Sequence, residues 1–215
     1  MFTCNLCPRG CNVRRGEEAP GMGKGFCRMG ELPTVARAAL HFDEEPCISG
    51  SRGSGAVFFS GCTLRCAYCQ NDAISRGCFG KTLSVSQLRA VFESLVEQEA
   101  HNINLVTATH FTYAVLQALE QPVGVPVVWN TSGFERRETL ELLEGKVQVY
   151  LPDLKYVDPE GGSLFSRAST YSVYAEKALL EMRRQVGENQ FDEEDVMTRG
   201  LLIRHLILPG HTKNS

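Results

Sequence analysis

Three cysteines within eight residues, Cys62-x3-Cys66-x2-Cys69, stand directly behind a short apolar run, Ala56–Ser60. The run (AVFFS) has the length and composition of a buried strand. A ligand-bearing loop that follows such a strand lies where parallel α/β sheets bind their ligands, at the carboxyl strand ends. Thiolates are soft ligands that suit iron–sulfur clusters. Three of them in so short a loop can hold three irons of a 4Fe–4S cube and leave the fourth iron open to a substrate. A structural zinc ion would need a fourth ligand, for which Cys78, nine residues beyond Cys69, is a candidate.

Downstream, strand and helix patterns alternate. Ser84–Gln98 reads as a helix. Ser84 and Gln87 have capping-box spacing, and Leu88, Val91, Phe92, Leu95 and Val96 fall on one face. Ile103–Val106 is a second strand, Phe111–Leu119 a short helix and Val125–Trp129 a third strand. Arg136–Leu143 is a helix closed by Gly145, Val147–Leu151 a fourth strand, Tyr171–Val186 a long helix and Leu201–Leu208 a fifth strand. Continuous apolar strands joined by helical crossovers predict a parallel sheet with both faces covered. The expected fold is therefore α/β, a partial (β/α) barrel of about five parallel strands. With no sixth strand before Ser215, its C-terminal units are expected to be missing, as in a truncated frame or one half of a split protein. The core is assigned to residues 54–215 and a Cys-rich knuckle with a connecting segment to residues 1–53.

Within that knuckle, Cys4-x2-Cys7-x3-Cys11-x15-Cys27 supplies four thiolates, enough to close either a zinc site or a second 4Fe–4S cluster. Gly21, Gly23 and Gly25 allow the chain to turn back on the metal. So few large apolar residues precede Pro33 that the knuckle needs a metal to fold. Residues 31–53, with Pro33, Pro46 and the Gly/Ser stretch Ser49–Gly55, read as a connection. Cys47 and Cys78 fall outside both cysteine sets and read as small buried hydrophobes. Close cysteine spacing without a secretory leader points to metal binding in the cytoplasm rather than to disulfides. No apolar run is long enough to span a membrane. Net charge is −3, and the small cationic excess of the first forty residues reads as a solvated surface rather than a nucleic-acid site.

The loop CTLRCAYCQN resembles that of the radical S-adenosylmethionine (SAM) superfamily, especially the pyruvate formate-lyase activating enzyme group. Later segments are similar too: Asn130–Phe134 (NTSGF), Asp153–Leu154–Lys155, and Ile203–Arg204–His205 through Pro209–Gly210. The nearest likeness is to uncharacterised homologues of that group that carry an extra N-terminal cysteine motif. The resemblance implies a 4Fe–4S cluster on Cys62, Cys66 and Cys69 that binds SAM at its open iron and cleaves it to a 5′-deoxyadenosyl radical. It implies that Thr107–His110 takes the place of the segment binding the SAM amino group, although TATH carries no carboxylate. Asn130 stands where the group has Asp. Arg204 would pair with the SAM carboxylate and Lys155 would hold nearby oxygens, with Asp153 beside them. Tyr68, between two ligands, would pack on the adenine or the cluster.

The expected activity is hydrogen abstraction by an oxidoreductase of the activating-enzyme type. By the same resemblance its partners would be SAM, a reductant such as flavodoxin or ferredoxin, and a hydrogen donor that is either the glycine of a glycyl-radical protein or a small molecule. An alternative is a catalytically inactive iron–sulfur or zinc-binding interaction protein. Thr107, His110, Asn130, Asp153, Lys155 and Arg204 are all expected to face one mouth with the cysteine triad.

Overall fold

The computed structural model describes residues 1–211; positions 212–215, the end of the expected core, lie outside the described residues. In chain order the elements are β1 Phe2–Thr3, β2 Arg14–Arg15, β3 Thr34–His41, α1 Pro46–Ser49, β4 Ser54–Phe59, α2 Asp72–Ser75, β5 Lys81–Thr82, α3 Val85–Glu97, β6 Ile103–Val106, α4 Thr112–Ala118, β7 Val127–Thr131, α5 Arg137–Glu141, β8 Val149–Leu154, α6 Pro159–Ser166, α7 Tyr171–Val186, β9 Gln190–Phe191, β10 Met197–Leu201 and β11 Arg204–His205. Nine strands form one sheet in the order β5-β3-β4-β6-β7-β8-β10-β9, with β11 alongside β8. The five strands β4, β6, β7, β8 and β10 are parallel, and β3, β5 and β9 add antiparallel edges. Among the described residues the sheet stays open between β5 and β9, so the molecule is a partial barrel.

The strand sequences explain the layering. Side chains alternate across a pleated sheet, so one strand can serve two cores. Val57, Phe59, Ile103, Leu105, Val127, Trp129 and Tyr150 face the helices and pack with Leu88 and Phe92 of α3, Val115 of α4 and Met182 of α7. Val128, Val149 and Leu151 face the concave side and pack against Ile48 of α1 and Met197 of β10. Strands buried on both faces read as unbroken apolar runs, which is why β4, β6, β7 and β8 were recognisable in the sequence. The α3 capping box forms as expected: Ser84 Oγ accepts from the Gln87 N–H at 3.1 Å, and the Ser84 N–H donates to Gln87 Oε1 at 2.9 Å.

Two expectations fail. Residues 31–53 are not a plain connection. Thr34–His41 is an eight-residue strand, antiparallel to β4, and α1 then enters the concave face. Its sequence, TVARAALH, lacks bulky alternation because this near-edge strand is only partly covered. The fifth parallel strand begins at Met197, not Leu201, and breaks after Leu201; Arg204–His205 pairs separately with Asp153–Leu154. A tight turn sets the earlier start. Asp192 Oδ1 accepts from the Glu194 and Val196 N–H groups, each at 2.9 Å, and the hairpin β9–β10 launches from it. Helix α6 was not foreseen, although Asp158 caps it through the Gly161 N–H and Pro159 opens its first turn.

Candidate functional site

The cysteine triad hangs from the carboxyl end of β4 on a loop pinned at several points. Gly61, at φ +78, makes the turn, and its N–H donates to the Ile74 carbonyl at 3.1 Å. Only a glycine fits there, since an added Cβ would lie 2.8 Å from the Cys27 carbonyl oxygen. Leu64 is buried among Phe134, Tyr156 and Tyr171, with Cys62, Cys66 and Tyr68 packed against the same cluster. The Ala67 N–H donates to the Phe165 carbonyl at 2.8 Å, and Arg76 Nη2 to the Cys66 carbonyl at 2.8 Å.

Each sulfur has a polar neighbour. Cys62 Sγ accepts from the Leu64 N–H at 3.4 Å, Cys66 Sγ accepts from the Ser166 hydroxyl at 2.9 Å, and Cys69 Sγ lies 3.3 Å from Ser75 Oγ. All nine cysteines of the chain are free thiols. The packed protein pushes the Cys62 thiol up to about 12, and burial raises that of Cys66 as well. Burial thus keeps both thiols protonated in the metal-free chain, and a bound metal centre would have to displace those protons to solvent. Among the described residues no three His, Cys, Asp or Glu side chains converge closely enough to share one metal ion.

The neighbouring strand ends bring polar groups beside the loop. Lys155 Nζ donates to Asp153 Oδ2 at 2.7 Å. Burial alone would lower the Lys155 pKa, but the hydrogen-bonded Asp153 carboxylate outweighs it and holds the ammonium protonated. Arg204 donates to Asp153 Oδ1 at 2.9 Å, to Asn130 Oδ1 at 2.7 Å and to Glu44 Oε2 at 3.1 Å. Asn130 Nδ2 donates to Glu44 Oε1 at 3.2 Å. Asn130, Asp153, Lys155 and Arg204 are thus brought together in one hydrogen-bonded group. Glu44, and Glu45 whose Oε1 lies 3.7 Å from Arg204 Nη1, were missed because they belong to the supposed connecting segment. The Tyr171 hydroxyl braces this group, accepting from the Lys155 N–H at 2.9 Å and lying 2.7 Å from the Asp153 carbonyl oxygen.

Thr107 follows β6 at φ +61, a strained conformation for a β-branched residue, and its N–H donates to the Asn130 carbonyl at 2.8 Å. Tyr68 bonds through its hydroxyl to that of Tyr156, which also contacts Ser166 Oγ at 2.8 Å. His110 departs from the expected mouth. The 3-10 turn Thr109–Phe111 buries it, its Nε2 bonds the Ser60 carbonyl at 2.7 Å, and it lines a hollow formed by the N-terminal cysteines. Sequence reading also missed Glu135. This buried carboxylate accepts from Thr109 Oγ1 at 2.6 Å and from the Thr131 hydroxyl, and burial raises it to about 7.

Cys4, Cys7, Cys11 and Cys27 line that hollow together. Burial pushes Cys7 up to about 12, with Cys27, Cys4 and Cys11 close enough to raise it further. The hairpin β1–β2 folds this segment back, and the Cys4 N–H donates to the Val13 carbonyl at 2.8 Å. No helix among the described residues is long and apolar enough to cross a membrane.

The sequence matches the Radical SAM superfamily over residues 56–214. It is also 30% identical, over 217 aligned residues, to an uncharacterized protein of Methanocaldococcus jannaschii. That alignment covers 97% of this chain and 57% of the relative, so the chain spans little more than half the relative's length.

Proposed function

The chain belongs to the radical SAM superfamily, and we propose that Cys62, Cys66 and Cys69 hold a 4Fe–4S cluster at which it cleaves SAM reductively for hydrogen abstraction. The observation that carries this reading is the triad loop at the end of β4 beside the Asn130–Asp153–Lys155–Arg204 group. When bound, the cluster would supply one electron and an open iron for the methionine end of SAM.

The chain's own residues would do the rest. Lys155 offsets the charge of Asp153 and of the nearby thiolates. Arg204 presents a guanidinium suited to the SAM carboxylate, and Asp153 and Glu44 orient it. In place of a carboxylate, the Thr107 hydroxyl and strand-end carbonyls would accept from the SAM amino group. The cluster of Leu64, Phe134, Tyr156 and Tyr171, with Tyr68 against it, would keep water from the reacting end. A flavodoxin or ferredoxin would supply the electron. The hydrogen donor would be a glycine of a partner protein, as in the activating-enzyme group. The same reading includes a second metal centre at Cys4, Cys7, Cys11 and Cys27.

The test is anaerobic reconstitution with iron and sulfide, then dithionite and SAM. Cluster absorbance and release of 5′-deoxyadenosine are expected, and replacing the three triad cysteines by Ala should abolish the 5′-deoxyadenosine and every spectral change that SAM produces. A wild-type chain that forms its cluster yet releases no 5′-deoxyadenosine would refute the assignment.

A further inference from the structure

The four N-terminal cysteines lie outside the residues that match the superfamily, and the hollow they line has a feature that ordinary packing does not explain. Arg15, only 2% exposed, borders it. Its terminal nitrogens donate to the carbonyls of His110 and Gly30, Nη1 lies 3.8 Å from Cys4 Sγ, and Nε has no partner. Among the described residues no carboxylate pairs with it. A buried guanidinium without an anion is strongly disfavoured. His110, which lines the same hollow, also has a buried unpartnered nitrogen, Nδ1. Four thiolates around a metal centre would carry the negative charge that Arg15 lacks. Zinc and a 4Fe–4S cube on four thiolates would each bring that charge, and contact with the triad loop is what points to the redox-active cube.

The hollow also shares a wall with the triad. The Cys27 carbonyl packs against Gly61, the residue before Cys62. Arg9, two residues after Cys7, donates to the Thr63 carbonyl at 2.7 Å and to the Ser166 carbonyl at 3.1 Å. Its guanidinium lies 3.7 Å above the Phe26 ring, and Arg65 of the triad loop donates to the Phe26 carbonyl at 3.1 Å.

We propose that Cys4, Cys7, Cys11 and Cys27 hold a second, fully ligated 4Fe–4S cluster, with Arg15 as its buried counter-cation, and that this cluster passes electrons singly to the triad centre across the Gly61–Phe26 wall. The relay, unlike the cluster assignment, rests on the proposed function of the triad. An external low-potential one-electron donor of the flavodoxin or ferredoxin class reduces the second cluster by one electron. That cluster is reoxidised as the triad centre accepts the same electron; no bond breaks and no proton moves.

The cluster is tested in the full chain with Cys62, Cys66 and Cys69 replaced by Ala, reconstituted anaerobically. About four iron and about four sulfide ions per chain are expected, with a reduced EPR signal that SAM leaves unchanged. Zinc in place of iron, or no metal, overturns the assignment. Loss of SAM cleavage in the wild type while this signal persists counts against the proposed function alone. In the same background Arg15→Gln should shift the cluster's reduction potential to lower values; an unchanged potential removes the counter-cation. Rapid-freeze EPR of the wild type mixed with reduced flavodoxin tests the relay without a variant. The SAM-insensitive signal should rise before the SAM-perturbed one, and the reverse order overturns it.

Discussion

Replacing Tyr171 by Phe isolates one hydroxyl at the brace of the candidate site. The ring is fully buried, stacked on Phe134 at 5.9 Å between centroids and edge-on to Tyr156 at 5.3 Å, and Phe keeps all of that packing. What disappears is the acceptor for the Lys155 N–H and the one O–H donor shared between the Asp153 and Ser132 carbonyls. A buried N–H left without a partner costs about 1–3 kcal/mol, and the lost hydroxyl–carbonyl bond adds about 1 kcal/mol. The expected destabilisation is therefore about 2–4 kcal/mol. In a chain of this size each kcal/mol lowers Tm by about 2–4 °C, which gives a fall of about 4–16 °C. Urea denaturation followed by circular dichroism measures it, with the midpoint lowered and the slope m unchanged. SAM affinity should weaken as well, because Asp153 and Lys155 lose their anchor. A loss below about 0.5 kcal/mol at constant m would refute the reasoning, since it would mean that water satisfies the Lys155 N–H.

Ser84→Ala removes one half of the α3 capping box and should cost about 1 kcal/mol, read as a small fall in thermal midpoint. Glu135 is raised from 4.5 to about 7, so the unfolded chain gives up this proton first. Its contribution to stability is whole below pH 4.5 and is lost as pH rises through 7. Glu135→Gln should therefore gain on the wild type between those values, by up to about 3 kcal/mol at higher pH, and a pH-independent difference in urea midpoint would refute this. Arg204→Gln should weaken SAM binding about tenfold or more by calorimetry, about 1.4 kcal/mol, and unchanged affinity would exclude Arg204 from the SAM site.

Features written in local sequence could be read before any fold was known. Strand β6, Ile103–Val106, and helix α7, Tyr171–Val186, have the expected ends because apolar periodicity and caps act over a few residues. The triad and its place behind β4 are local in the same sense. Asn130, Asp153, Lys155 and Arg204 could be grouped in advance because parallel topology sends every strand end to one side.

Contacts between distant positions had no such signal. The Ser166 hydroxyl reaches Cys66 Sγ from 100 residues away. Glu44 meets Arg204 across 160 residues because α1 turns into the concave face. Strand β3 is held by its pairing with β4 more than by its own apolar pattern. Likewise, nothing near Arg15 or His110 in the sequence indicates that the fold buries them beside the same four thiols. Periodicity reports the face an element hides, while the group that meets it depends on the path of the whole chain.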